Sequence, residues 1–447
     1  MTPVCHRPVV VSGNIRIPAG VLTGAVAHTL KSRLTFQNPL FIQALRLGRK
    51  GYGIPPKISC YDFDEWKGLI VPRGCVRVIQ EIAPHVRYVD ARSSCPRAFE
   101  PFEIPLRDYQ KKAVDAFCAV RQGYVVIPCG GGKTRVALGA IARLGLRALV
   151  LVHTKDLKAQ WESAAAALKI PLCVRLIQAL SPSADLPPHD FLILDEAHHV
   201  AASTFHAVVD RSIGRYRLGL TATPEREDGL TQFLDLYFGD KVFEISQREL
   251  IDAGYLVVPE IRRVSTNFEF PYSGPSDYSK LIKALVADEE RNALVIRTVV
   301  SSLSDGSVGL VLTNRIDQCQ KLADEISACG VAAAALTSKQ TKKERLRRLA
   351  MAEKGDIRVL CATTLADEGL DLPILSKVFL AHPSRAMART IQRLGRIMRP
   401  CENKKQPVLY DFVDDVGVLK AQARKRLTAY RKVLGADCNI SKWEACE

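Results

Sequence analysis

Negative charge is scarce in this chain: 47 Asp and Glu face 63 Lys and Arg, which leaves a formal net charge of +16 and a pI near 9.3. Such a deficit favours polyanionic partners, either nucleic acid or an acidic membrane surface. Long apolar runs are missing as well. No stretch approaches the roughly 20 uninterrupted apolar residues needed to cross a bilayer, and the N-terminus has no basic segment followed by an apolar core and a small-residue cleavage site. The expected setting is therefore intracellular, the cytoplasm of a bacterial or phage-infected cell, without membrane contact. The thirteen cysteines contain no CxxC pair, and the closest two, Cys438 and Cys446, stand eight residues apart. Free thiols are expected rather than disulfides or a zinc site, so any metal should arrive with a substrate. Repeats and low-complexity tracts are also absent, and 47% hydrophobic with 25% charged residues excludes a disordered or collagen-like chain.

What is present divides along the chain. At 447 residues, more than one hydrophobic core is expected. Residues 1–104 are rich in proline and short β-like runs, and their fourteen Lys/Arg against seven Asp/Glu supply +7 of the net charge. They read as a small basic α+β accessory domain. From Leu106, short apolar strands alternate with amphipathic helices: YVVIP (124–128), a helix from Lys133 to about Leu144, ALVLVH (148–153), a helix over 157–168 and FLILD (191–195). The alternation restarts at VGLVLT (308–313) and continues through RVLCAT (358–363), KVFLAH (377–382) and a helix over 389–397. Fully apolar short strands alternating with helices indicate parallel sheets covered on both faces. The expected fold class is α/β: a first lobe at 105–258, a linker at 259–300, and a second lobe at 301–447 whose basic tail ends in a helix.

The clearest chemistry lies in PCGGGKT, Pro128, Cys129, Gly130, Gly131, Gly132, Lys133 and Thr134, where a strand gives way to a helix. A glycine-rich turn lets backbone N–H groups approach phosphate oxygens, and the helix N-terminus adds its positive dipole end. Lys133 would reach the β and γ phosphates, Arg135 would stand in the same first turn, and Thr134 would offer its hydroxyl to Mg²⁺. The first glycine of the strict motif is replaced by Ile127, and a glycine turn beside a surface lysine is the competing reading. LILDEAHH places Asp195 and Glu196 at a strand's carboxyl end, 62 residues beyond Lys133. In a doubly wound sheet that position adjoins the phosphate loop, so Asp195 could hold Mg²⁺ and Glu196 could orient or deprotonate the attacking water. In TIQRLGRIMRP, helical spacing puts Gln392, Arg396 and Arg399 along one face. A solvated surface and a phosphate-backbone contact both fit that face; a guanidinium pair also suits a transferring phosphoryl group.

These motifs, with LRDYQ (106–110), VHTKDLKAQW, LTATPERED, VLTNR (311–315) and ATTLADEGLDLP (362–373), stand in an order that resembles the superfamily 2 helicases and translocases over about residues 105–415. The resemblance implies two RecA-like lobes with ATP between them. It implies Gln110 on the adenine edge with Arg107 or Tyr109 near the ring, and Gly369 and Asp371 along the nucleotide cleft. It further implies that Thr221, Thr223, His198 and Arg226 couple nucleotide state to DNA grip; a backbone-satisfied core histidine is the alternative for His198. The backbone-tracking candidates are Thr154, Lys155 and Gln178 in the first lobe and Thr313, Asn314, Arg315, Thr363 and Thr364 in the second. The basic helix near Lys339, Lys342, Lys343, Arg345, Arg347 and Arg348 either extends the track or is an exposed face. The His-His ending of the acidic motif, the TAT of the third motif and Arg226-Glu227-Asp228 resemble the XPB and UvsW branch, and residues 38–74 are similar to the accessory domain of phage and bacterial members. A junction-binding module and a fold-stabilising cap are the two readings of that segment.

The expectation is an ATP- and Mg²⁺-dependent DNA helicase or translocase, travelling 3′ to 5′, at forks, Holliday junctions or partly single-stranded DNA. Other replication or recombination proteins are its expected partners. A double-strand translocase serving a partner nuclease and an ATP-switched clamp stay open, as does RNA as a substrate. Phosphate contacts position without reading sequence, so structure-specific binding is expected.

Overall fold

The structure, a computed structural model, describes residues 7–46, 48, 50, 52–93, 97–180, 185–201, 203–224, 229–363, 372–383, 395, 397–401, 404–435 and 438–443. The chain divides into two compact units: residues 1–127 with 132–245, and residues 128–131 with 246–447.

The first unit begins with the expected α+β module. Its five-stranded sheet has the order Asp62–Phe63, Leu69–Pro72, Asn14–Ile17, Val9–Val11, Tyr88–Asp90, antiparallel except for the last pair. Beside it lie the helices Gly24–Arg33, Pro39–Arg46 and Val76–Ile82. The unit's second sheet is six-stranded and wholly parallel, in the order Leu172–Leu176, Ala148–Val152, Phe191–Asp195, Tyr216–Thr221, Gln122–Val126, Lys241–Glu244. Its inner strands are apolar without interruption because both faces are covered. On one face, Val125, Val150, Val152, Ile193, Leu218 and Leu220 meet the core residues of the helices Asp108–Val120 and Lys133–Leu144. On the other, Tyr124, Val126, Leu149, Leu151, Leu192 and Leu194 share a core with Phe233–Phe238 and with Val9, Ile15, Ile17, Leu30, Val71 and Ile79 of the N-terminal module.

Two buried arginines fasten that seam. Arg217, on an inner strand, donates to the carbonyls of Gly13 (2.8 Å), Val209 (2.9 Å), Ser212 (3.0 Å) and Tyr237 (3.0 Å). Arg73 donates to Gln122 Oε1 and to the Gly214 carbonyl, both at 2.7 Å. A Cβ on Gly74 would fall on the carbonyl oxygens of Asp235 and Leu236, so glycine is required by the close approach. Residues 1–104, expected as a separate domain, are thus continuous with the first lobe.

The second unit is built on a seven-stranded parallel sheet, in the order Ala333–Leu336, Val359–Ala362, Val308–Leu312, Leu375–Leu380, Val408–Val413, Glu260–Ser265, Ile440–Trp443. The expected linker at 259–300 is corrected here: Glu260–Ser265 is a strand hydrogen-bonded on both sides, and the helices Tyr278–Ala287 and Glu289–Ser302 follow it. The tail also departs from expectation, since the helix Gly417–Leu434 is followed by the edge strand Ile440–Trp443. The helix expected over 389–397 lies largely outside the described residues. All described cysteines are free, and among the described residues no helix is long and apolar enough to cross a membrane.

Candidate active site

Strand Gln122–Val126 leads into the glycine turn, and Lys133 opens the following helix. Gly130 (φ +86°) and Gly132 (φ +78°) occupy the left-handed region that a side chain would disfavour. Gly131 N–H donates to the Pro128 carbonyl at 3.0 Å. Gln110 lies against the end of this loop, where a Cβ on Gly132 would sit 2.6 Å from its Nε2. Gln110 Oε1 accepts from the Arg107 N–H (3.0 Å), and Tyr109 Oη is 3.4 Å from both Arg107 Nη1 and Gln110 Nε2. The three residues expected at the base are therefore gathered beside Gly132. Thr134 and Arg135 are in the first turn of the helix.

Lys133 Nζ donates to Glu196 Oε1 at 2.9 Å, with both side chains largely buried. Glu196 has φ +50°, strained for a non-glycine residue and commonly found where function requires it. Asp195 is buried and fully engaged: Oδ2 accepts from Trp161 Nε1 (2.8 Å) and Oδ1 from the Glu196 N–H (3.0 Å). His198 Nδ1 lies 3.2 Å from Thr221 Oγ1, which donates to the Thr223 carbonyl (3.1 Å) and accepts from the Thr223 N–H (3.3 Å). Because the Thr221 proton goes to that carbonyl, the network assigns the His198 proton to Nδ1. A polar chain thus links Lys133, Glu196, His198, Thr221 and Thr223, with Glu196 Oε2 at 3.5 Å from His198 Nδ1.

The two carboxyls titrate apart. Burial, then the neighbouring Glu196 charge, pushes Asp195 up; Lys133 and Trp161 pull it partly back. Burial would also raise Glu196, but the Lys133 ammonium and the His198 ring outweigh it and hold the carboxyl low. Glu196 is held ionised, and its buried Oε2 has no hydrogen-bond donor. That open acceptor fits a water, bulk or metal-held. Among the described residues no cluster of three metal-ligating side chains exists.

Of the tracking candidates, Thr154 and Gln178 meet at the carboxyl end of Ala148–Val152. Thr154 Oγ1 caps the next helix by accepting from Leu157 N–H (3.2 Å), Gln178 Nε2 donates to the His153 carbonyl (3.1 Å), and Lys155 is exposed. Thr313 and Thr363 follow paired strands and are buried; Thr313 Oγ1 donates to the Arg315 carbonyl (3.1 Å), whereas Asn314 and Arg315 are exposed. Arg348 is committed to its own lobe, bound to Glu344 (3.0 Å) and the Ala335 carbonyl (2.6 Å). Arg399 is half-buried, and its carbonyl accepts from Lys404 Nζ (2.7 Å). Arg226, Thr364, Gly369, Asp371, Gln392 and Arg396 lie outside the described residues. Sequence reasoning missed Trp161, the donor to Asp195, and the rings of His153 and His199, 4.8 Å apart beside His198. The AQW ending of VHTKDLKAQW was the only local signal, and it carries no hint of a contact across 34 residues.

Comparison with known proteins agrees. Residues 290–401 match the helicase conserved C-terminal domain, and residues 103–173 and 166–226 match the type III restriction enzyme res subunit. The DNA 3′-5′ translocase XPB2 of Sulfurisphaera tokodaii is 27% identical over 387 residues, covering 74% of this chain and 85% of that protein. Helicase 22 of Sulfolobus islandicus filamentous virus is 30% identical over 250 residues, 53% of this chain, and the chain spans only 45% of its length. A fragment of an HsdR subunit of a type I restriction enzyme from Vibrio vulnificus shares the fold, with a TM-score of 0.59 and 18% identity over 76% of this chain and 69% of that one.

Proposed function

We propose that the chain is a superfamily 2 helicase of XPB type, a DNA-dependent ATPase that hydrolyses ATP to move 3′ to 5′ on DNA and acts at forks and other branches. The observation that carries the reading is the Lys133–Glu196–His198–Thr221 chain at the end of a glycine loop, with Gln110 beside it. Lys133 is held 2.9 Å from Glu196 and would exchange that partner for the β and γ phosphates. Released from the lysine, Glu196 presents a carboxylate to orient the attacking water and take its proton. Mg²⁺, held by Thr134 and Asp195, would supply charge neutralisation on the phosphates. His198 passes the occupancy of Glu196 to Thr221, and so to the backbone at Thr223. Gln110, Arg107 and Tyr109 receive the base, while Arg396 and Arg399 are assigned to phosphate by the family resemblance.

The first test is ATP turnover with and without DNA. Lys133→Ala and Glu196→Gln should each abolish DNA-stimulated turnover and leave DNA binding largely intact; full turnover in either variant sinks the assignment. Strand displacement ranked over fork, flap, bubble and four-way substrates tests the branch preference. The res-subunit match favours a second reading, translocation on duplex without unwinding. Turnover with no strand displacement on any substrate would select it.

A further inference from the structure

A cavity of about 310 Å³ is lined wholly by residues of the second unit, none of them from the glycine loop. It is formed at the carboxyl end of strand Glu260–Ser265, the start of helix Glu289–Ser302 and the edge strand that carries Lys442. Two of its lining arginines each bury a guanidinium nitrogen with no acceptor: Arg263 Nε and Arg291 Nη1. Buried donors are nearly always paired, so two orphans on one cavity need a reason.

Arg291 explains its own half. The side chain is 2% exposed, and its Nε (2.5 Å) and Nη2 (3.1 Å) both donate to Asp414. Asp414 is further occupied by Thr266 Oγ1 (2.7 Å). One edge of the guanidinium is thereby fixed, and the remaining nitrogen is left over. The cavity's acids do not serve these donors: Asp288 Oδ1 accepts from the Arg291 N–H (2.7 Å), and Glu290 Oε1 from Asn267 Nδ2 (3.4 Å). Arg297 and Lys442 add two exposed cations to the lining.

We propose that this cavity binds a phosphate group. Two arginines with donors to spare, with Arg297 and Lys442 on the same lining, suit an anion that offers several oxygens at once. The favoured source is a nucleic-acid backbone, because the cavity opens at the same carboxyl-end edge of the parallel sheet that carries Thr313 and Thr363. That source rests on the proposed function; the phosphate chemistry does not.

The test uses the full chain with Arg263→Gln and, as an exposed change that leaves the Asp414 network untouched, Lys442→Gln. Affinity for a forked DNA is measured across a salt series. Each lost backbone contact should weaken binding severalfold and reduce the slope of log K against log salt by about 0.7 to 0.9, with basal ATP turnover unchanged. In a second arm, inorganic phosphate replaces chloride at constant ionic strength while Tm is recorded. A Tm rise that shrinks in both variants, with an unaltered DNA slope, identifies free phosphate as the occupant. Unaltered slopes together with equal phosphate responses in wild type and variants overturn the proposal. Failure of the wild type to bind DNA would count against the helicase reading, and the phosphate arm would still decide this one.

Discussion

Few groups pull the raised Asp195 pKa back down, and Trp161 is one of them. Trp161→Phe keeps the ring in the core but leaves Asp195 Oδ2 buried without its indole donor, at a cost of about 1–3 kcal/mol. The indole hydrogen bond lowers the Asp195 pKa against the pull of burial and of Glu196, so its loss should move the carboxyl further upward. The acid limb of the ATP turnover profile should then shift to higher pH in Trp161→Phe. A loss of stability with an unmoved acid limb would show that the tryptophan only packs. Lys133 and Glu196 were legible in the sequence because each sits in a run whose local spacing encodes its position on a strand end or helix start, and His198 and Thr221 were implied by the family resemblance. Trp161 was not, because its role exists only once the helix Lys155–Ala167 folds back over the strand Phe191–Asp195.

The seam between the N-terminal module and the parallel sheet gives Asp210 an unusual task. Burial lifts its pKa from 3.8 to about 7, against the charges of Arg217 and Arg73, and its Oδ1 has no donor. A raised folded pKa contributes stability that is complete below about 3.8 and is lost as pH climbs through about 7. Asp210→Asn removes that titration. In urea melts the variant should gain on wild type between pH 5 and pH 8 by on the order of 2 kcal/mol, since each tenfold change in proton affinity is worth about 1.4 kcal/mol; a constant difference across that range would refute the assignment. The same seam decides between junction module and cap for residues 1–104. Deleting them removes Val9, Ile15, Ile17, Leu30, Val71 and Ile79 from the shared core and leaves Arg217 without its Gly13 partner. ATP turnover and DNA binding should fall together in the truncated chain, and retained basal turnover would show the first lobe stands alone. Composition marks a small basic accessory domain but leaves junction module and cap open, because proline content and charge report local texture, whereas a shared core is a long-range fact. In the segment expected as a linker, the run YLVVPEIRRV is strand-like in the sequence, but its pairing with residues 408–413 and 440–443 is a long-range fact that the polar Pro-Ser-Gly stretch at 271–276 does not suggest.

For the molecule as a whole, the net charge of +16 overstates what faces a polyanion. Many cations are engaged internally: Arg73 and Arg217 on backbone carbonyls, Arg291 on Asp414, Arg426 on Asp411, Lys377 on Asp305, and Arg358 on the carbonyls of Ser307 and Leu303. Such groups displace no counterions on binding. Exposed cations remain, among them Lys155 and Arg315 on the expected track, Lys339, Lys343 and Arg347 at the basic helix, and Arg297 and Lys442 beside the phosphate cavity. If only on the order of five phosphates are neutralised, the slope of log K against log salt should have a magnitude of about 4 to 5 on duplex DNA. Engagement of the full formal charge would give a slope near about 14 by the same relation. Anisotropy titrations over a salt series distinguish the two. A steep slope would mean that binding is governed by a diffuse basic surface, and single substitutions at Lys155, Arg315 or Lys442 would then hardly change it. A shallow slope that drops by nearly one with each of those substitutions is the outcome expected of a few placed contacts.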